Sequence, residues 1–333
     1  MNSQNTRPFL LTQYKAGSFP PDWDSWVLSQ STGTWFQTLS AFRAVWNQDP
    51  RLLEITDSAT GQRLAGFAFF PAKKAGLSYP KRHALLYFSA PVFADGIDQK
   101  IPELMDFLFS DGNFSFALFN LAFQNEGYPK LKFKTSSQTG LWLDLLPDEF
   151  AQIKQTSELV RRNLKKQVSG HFEWIAPDKL SLSELELLEK TYLHHGVKSP
   201  VSAKELHQVL SRVSPNEILA IRYQTDGKTT GWRLWIYDRR GWLTDWLSAV
   251  DRDSGKEPVG YHLVWESVKK ARELGCTGLD FGGGNTPGIA DFKEKFGCRK
   301  RQGLFIRYSR NTVVSVLLSV NDWLLQRKRK SGL

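Results

Sequence analysis

Cysteine and methionine are scarce, with two of each in 333 residues. Cys276 and Cys298 are too few for a disulfide framework or a cysteine-based zinc site, so both read as ordinary core thiols. Among the six histidines, His194 and His195 are adjacent, fall on different helix faces and lack a third ligand, so no metal site is expected. No apolar run approaches the roughly 20 residues of a membrane span. Residues 1–14 carry one arginine and no sustained apolar stretch with a small-residue cleavage site, so a soluble, cytoplasmic chain is expected. There is no Gly-x-Ser-x-Gly elbow for a serine nucleophile and no Gly-x-Gly-x-x-Gly for a dinucleotide. Gly283 and Gly288 have the spacing of a Walker loop, but Ile289-Ala290 stands where Lys-Ser/Thr is required. No sustained heptad marks a coiled-coil arm.

What is present is a large supply of core. Hydrophobic content is 41%, with 12 Trp and 22 Phe, and the length suits two domains of roughly 150 residues. The net charge of +10 favours anionic partners such as nucleic acid, nucleotide pyrophosphates or an anionic membrane face. Part of it sits in Arg161-Arg162-Asn163-Leu164-Lys165-Lys166 and part in Arg327-Lys328-Arg329-Lys330, which follows the broadly apolar stretch 313–325. That tail is expected to dock on the body of the protein, with peripheral contact to an inner membrane surface as the alternative.

The second half reads as an ordered series of elements. Residues 171–175 form a strand; Ser181-Leu182-Ser183-Glu184 and Ser202-Ala203-Lys204-Glu205 are capping boxes that open two helices. Strands over 217–224, 229–237 and 242–250 make an antiparallel meander with turns at Asp226-Gly227 and Arg239-Arg240-Gly241. Tyr261, Val264, Trp265, Val268 and Ala271 share one helix face, which Gly275 terminates. A buried strand over 277–281, a glycine loop at Gly282-Gly283-Gly284, a short helix over 287–296 and a strand over 304–308 complete the order. The first half repeats it more faintly. Strands are expected at 9–13, 52–56, 63–70, 84–89, 114–123 and 141–145, and helices at 22–29, 36–46 and 101–109.

This order resembles the GNAT acyltransferase fold written twice. The segment Gly275-Cys276-Thr277-Gly278-Leu279-Asp280-Phe281-Gly282-Gly283-Gly284, with Gly288-Ile289-Ala290-Asp291-Phe292-Lys293-Glu294-Lys295-Phe296-Gly297, is similar to FemAB-like transferases. That family, with a broader acetyltransferase-like (BioF2-like) group, acts on cell-envelope precursors such as those of peptidoglycan. The resemblance implies a mixed α/β fold of two tandem GNAT-like domains, each a mostly antiparallel sheet flanked by helices. They would span 1–148 and 149–310, with an amphipathic basic helix at 311–333.

The resemblance also implies chemistry. In the fold, the fourth and fifth strands run parallel but splay, leaving backbone amides in need of a partner. An acyl carrier fills that cleft, and the following helix offers its N-terminus to a phosphate. Here the cleft falls between 242–250 and 277–281, and the phosphate turn at Ser254-Gly255-Lys256 leading to Gly260. The donor site is then expected from Phe292, Lys256, Gly260, Trp246, Gly282 and Gly283. Lys293 would grip a tRNA phosphate or the oxyanion, unless Phe292 and Phe296 form a core stripe and leave it a solvated charge. Asp245 is the candidate general base, and Arg233, Tyr237 and Asp280 the candidate acceptor residues, with capping of the glycine turn as the competing role for Asp280.

The implied activity is transfer of an acyl or aminoacyl group to an amine of an envelope or polysaccharide precursor, anionic or lipid-linked. The donor is acyl-CoA or aminoacyl-tRNA, with no tightly bound cofactor and no DNA partner. A non-catalytic binding or regulatory protein on the same fold is the competing expectation.

Overall fold

The computed structural model describes residues 7–124, 134–194, 196–237, 240–251, 257–283 and 287–316. The chain opens with β1 (Phe9–Tyr14), α1 (Trp23–Ser29), α2 (Leu39–Trp46), β2 (Arg51–Asp57), β3 (Arg63–Lys74) and β4 (Leu77–Lys81). The short β5 (Val92–Phe93), α3 (Ile101–Asp111), β6 (Phe116–Gln124) and β7 (Lys134–Asp144) follow. Two helices, α4 (Glu149–Gln155) and α5 (Glu158–Leu164), lead to β8 (His171–Ile175), α6 (Leu182–His194) and α7 (Ala203–Leu210). The meander is β9 (Ile218–Thr225), β10 (Lys228–Tyr237) and β11 (Trp242–Val250), before α8 (Val259–Glu273), β12 (Gly278–Gly283), α9 (Pro287–Glu294) and β13 (Arg299–Ser309).

Local chemistry accounts for the helix starts. At α6 the Ser181 N–H donates to Glu184 Oε2 (2.7 Å) while Ser181 Oγ accepts from the Glu184 N–H (3.3 Å), a reciprocal capping box. Ser202, Thr38, Asp148 and Ser157 cap α7, α2, α4 and α5 in the simpler way, each accepting a backbone N–H of the first turn.

The strands form two sheets. The first pairs β1, β2, β3 and β4 in order, with β5 beside β3. The second runs β6, β13, β7, β12, β11, β10, β9, β8. Strands β6 and β7, though they belong to the first half of the sequence, therefore sit in the second sheet, on either side of β13. A shared core joins the halves. Trp35, Phe36, Phe42 and Leu85 pack with Leu188, Leu206, Trp232 and Trp246 in one buried cluster.

Two expectations need correction. Residues 84–89 are a loop, and the strand that follows β2 and β3 in the first sheet's meander is β4. The loop's polar groups are served by side chains instead of a ladder: Leu85 O accepts from Trp246 Nε1 (3.0 Å) and Tyr87 O from Asn120 Nδ2 (3.0 Å). The last strand begins at Arg299, five residues before the apolar alternation does, because Arg299, Lys300 and Arg301 still find ladder partners on β7. The stretch expected as a C-terminal helix lies mostly outside the described residues, as do Lys256 and Gly284.

Candidate active site

The site grows from one irregularity in the sheet. Strands β11 and β12 run parallel and pair only at Trp242 with Gly278, Leu243 with Leu279 and Thr244 with Asp280. Strand β11 continues to Val250 and β12 to Gly283, but the ladder does not. On β12 the register to β7 breaks between Asp280 and Gly283, where Gly282 takes φ +66°, a left-handed conformation that glycine adopts without steric cost. On β11, Leu247 faces Leu234 and Asp245 faces Trp235, so Trp246 is an extra, bulged residue. Both strands therefore bend at the same level, and a fork opens.

The bulge also sorts the side chains. Trp246 and Leu247, although consecutive, both reach the core shared with the first half. Asp245 and Ser248 are left facing the same way as Trp235 and Arg233, their respective partners on β10. Strict alternation would have set Asp245 and Ser248 on opposite faces.

Asp245 is held by a two-pronged guanidinium. Arg233 Nε donates to Oδ1 (2.9 Å) and Nη2 to Oδ2 (2.7 Å), with both side chains nearly buried. Lys293, from α9, places Nζ 3.6 Å from Asp245 Oδ2 and donates to the Phe281 carbonyl. Asp245 and Phe281 would have been the next pair of the interrupted ladder. The ammonium thus bridges the two strands at the first step beyond their last shared pair. Burial lowers the Lys293 pKa, and the Asp245 charge opposes that shift.

Asp280 ends the paired segment. Its Oδ1 accepts the Gly282 N–H at 2.7 Å, so it does cap the glycine turn. Burial also pushes its carboxyl up to about 6, against the pull of Lys293 and Arg301. Two tyrosines missed by sequence reasoning, Tyr87 and Tyr192, feel the Asp245 charge; burial chiefly holds both phenols above their usual pKa, helped at Tyr192 by Asp245 and at Tyr87 by Tyr192 and then Asp245. Tyr87 also donates to the Trp246 carbonyl at 2.8 Å. Its position in a loop of the first half gave no sequence signal.

The structure brings Arg233, Asp245, Asp280, Lys293 and Gly282 together at the fork. Phe292 lies beside it, packed on Tyr261 (5.1 Å between ring centroids) and Phe296 (5.4 Å). A Cβ placed on Gly260 would lie 4.0 Å from Phe292 Cζ, so the start of α8 and the aromatic meet. Gly283 returns to the ladder opposite Gly140. Tyr237 stands opposite Leu243, two positions before the fork, and packs in a hydrophobic cluster. Trp246 is committed to the first half through its indole N–H. Lys295, in contrast to Lys293, is a surface charge paired with Asp291.

Such an arrangement has three chemical capacities. The ladder's end leaves β11 backbone beyond Thr244 without a β12 partner, suited to the amides of an extended carrier. A buried lysine ammonium at the gap can stabilise negative charge that develops there. A buried carboxyl that titrates near 6 can take a proton from an amine.

Residues 154–294 match the family model described as an acetyltransferase (GNAT) domain. That segment, less than half of the chain, is similar to a GNAT acetyltransferase domain. The fold of the whole chain is similar to that of tandem GNAT proteins. The crystal structure of FemX superposes with TM-score 0.64 at 12% identity, covering 89% of this chain and 97% of that one. A tandem GNAT protein from the clavulanic acid biosynthesis pathway gives 0.53 at 9% identity, covering 91% and 99%. Saccharomyces cerevisiae N-myristoyltransferase with bound myristoyl-CoA gives 0.51 at 12%, covering 90% and 82%. No curated protein matches the sequence. These likenesses bear out the expected tandem GNAT-like fold, and the GNAT model covers α5 to α9, the stretch that builds the fork. No helix among the described residues is long and apolar enough to cross a membrane.

Proposed function

We propose that this GNAT acyltransferase moves an acyl or aminoacyl group from acyl-CoA or aminoacyl-tRNA to an amine of a cell-envelope or polysaccharide precursor. The observation that carries the proposal is the fork itself: a ladder that stops after Thr244 and Asp280, bridged at its next step by Lys293. The carrier's amide-bearing arm lies along β11 and presents its thioester or ester carbonyl near the Lys293 ammonium. The acceptor nitrogen attacks that carbon; the C–N bond forms, the C–S or C–O bond breaks, and the leaving group departs with the electron pair. Lys293 stabilises the transient oxyanion. Asp280 takes the proton lost by the amine, and Asp245 with Arg233 fixes the lysine.

The frame shared with FemX supports the aminoacyl donor, and the frame shared with a protein that holds myristoyl-CoA supports the coenzyme A donor. A net charge of +10 favours an anionic tRNA, nucleotide or lipid-linked partner equally. Titration of the purified protein with acetyl-CoA and with charged tRNA, at two salt concentrations, separates the donors, because the tRNA arm alone should weaken steeply with salt. Lys293→Ala should lower transfer by about 10²–10³-fold with donor binding retained. Unchanged transfer in a folded Lys293→Ala protein would refute the role given to Lys293, whereas a wild-type protein that binds a donor but transfers nothing would favour a binding protein that kept the fold without the chemistry.

A further inference from the structure

Arg301 belongs to none of the pairs above. It is 9% exposed, and its guanidinium carbon lies 3.2 Å from the centroid of the Trp142 ring and 5.3 Å from that of Trp242. The two indoles touch each other, centroids 4.4 Å apart. The carboxylates that act on Arg301 are engaged elsewhere: Asp144 pairs with Arg299, and Asp280 caps Gly282. Among the described residues, Arg301 Nε and Trp142 Nε1 are both buried donors that meet no acceptor. Buried polar groups normally find partners, and a buried charge does so above all. Arg233 supplies the contrast within the same sheet, since Asp245 takes its fork.

The ladder places this pair of donors on the face of the sheet that carries Asp280, opposite the face of Asp245 and Arg233. Asp280 lies opposite Trp142, and Trp142 opposite Arg299, so these three side chains leave one face of the sheet; Arg301, two residues on, shares that face. Thr244, opposite Asp280, and Trp242, opposite Gly278, share it too. Trp142, Trp242 and Thr244 are only half-buried, so a ligand can reach the face. A guanidinium stacked flat on an indole keeps its N–H groups in the plane, pointing sideways, which suits two oxygens of one anion. Both orphan groups are donors, which selects an anion over a cation. Burial without a counter-ion also draws the Arg301 pKa down to about 10.

We infer that Arg301, stacked on Trp142 and Trp242, is the subsite for an oxyanion carried by the amine acceptor, a carboxylate or a phosphate. This rests on the acyltransferase function proposed above and makes Arg301 the specificity-determining residue on the acceptor side. Arg233, whose Nε and Nη2 engage both oxygens of Asp245, has the task of holding the site.

Two small probes distinguish the sources of the oxyanion: glycylglycine offers an amine with a carboxylate, and O-phosphoethanolamine an amine with a phosphate. Ethylamine, with no anion, is the control. Binding is read from tryptophan fluorescence, because Trp142 and Trp242 form the walls. The wild-type protein should bind one anionic probe saturably and not ethylamine. Arg301→Gln should weaken that binding by about 10- to 100-fold, and Arg301→Lys, which keeps the charge but not the fork, by less. Near-UV circular dichroism and donor binding should stay as in the wild type. Two results would overturn the assignment: a wild-type protein that binds neither probe, or a folded Arg301→Gln protein that binds as tightly as the wild type. If the anion binds through Arg301 but no donor supports transfer, the acyltransferase proposal fails and the anion site stands.

Discussion

Asp280→Asn removes a buried charge yet keeps the oxygen that caps the glycine turn, since an amide oxygen can also accept the Gly282 N–H. In the wild type the carboxyl titrates near 3.8 when unfolded and at about 6 when folded. Between those values the folded state holds more protons than the unfolded state. Its contribution to stability is therefore complete below 3.8 and lost as the pH rises through about 6. A gap of about 2 pH units corresponds to about 3 kcal/mol. Asparagine does not titrate, so the stability of Asp280→Asn relative to wild type should grow by about 2.4 kcal/mol from pH 4 to pH 7. Urea unfolding followed by tryptophan fluorescence at several pH values measures this. The other ionisable groups titrate in both proteins and largely cancel in the difference. A difference that stays flat with pH, or that shrinks as the pH rises, would show that Lys293 and Arg301 outweigh burial at this carboxyl. Transfer should behave oppositely: the wild-type rate should climb with pH through about 6, and the asparagine variant should be slow throughout.

Three further predictions concern the frame of the site. Arg233→Met leaves the Asp245 carboxylate buried without its fork and should cost about 3–5 kcal/mol in urea unfolding, whereas Arg233→Met with Asp245→Leu should recover most of the loss; a double-variant loss equal to the sum of the two single losses would show that the pair is not coupled. Gly278→Ala would push a Cβ into the Trp242 ring and to 2.6 Å from the Leu143 carbonyl, so it should lower stability by about 1–3 kcal/mol and alter the Trp242 fluorescence. Burial pushes the Cys298 thiol up to about 12, so the folded protein should react with a thiol reagent at Cys298 at pH 8 far more slowly than the urea-unfolded chain does, as peptide mapping would show.

Much of this protein is written locally. The capping box at Ser181, the N-cap at Ser202, the Asp226-Gly227 turn and the spacing of apolar residues over 261–271 place the second-half elements to within a few residues, because each depends on backbone geometry and near neighbours. The Phe292-Lys293 segment and the glycines after Asp280 likewise point to the family before any packing is known. What local pattern could not supply was decided by contacts between distant strands. The bulge at Trp246 turns Asp245 toward Arg233, and it arises from register against β10. The loop at 84–89 forsakes a strand because Trp246 and Asn120, distant in sequence, meet its carbonyls. The placement of β7 between β12 and β13 stacks Trp142 under Arg301 across 159 residues of chain, and no periodicity within either strand encodes that contact. Propensity and capping act over a handful of residues, whereas the charge balance of a buried fork depends on which strands lie side by side, and only the folded chain settles that.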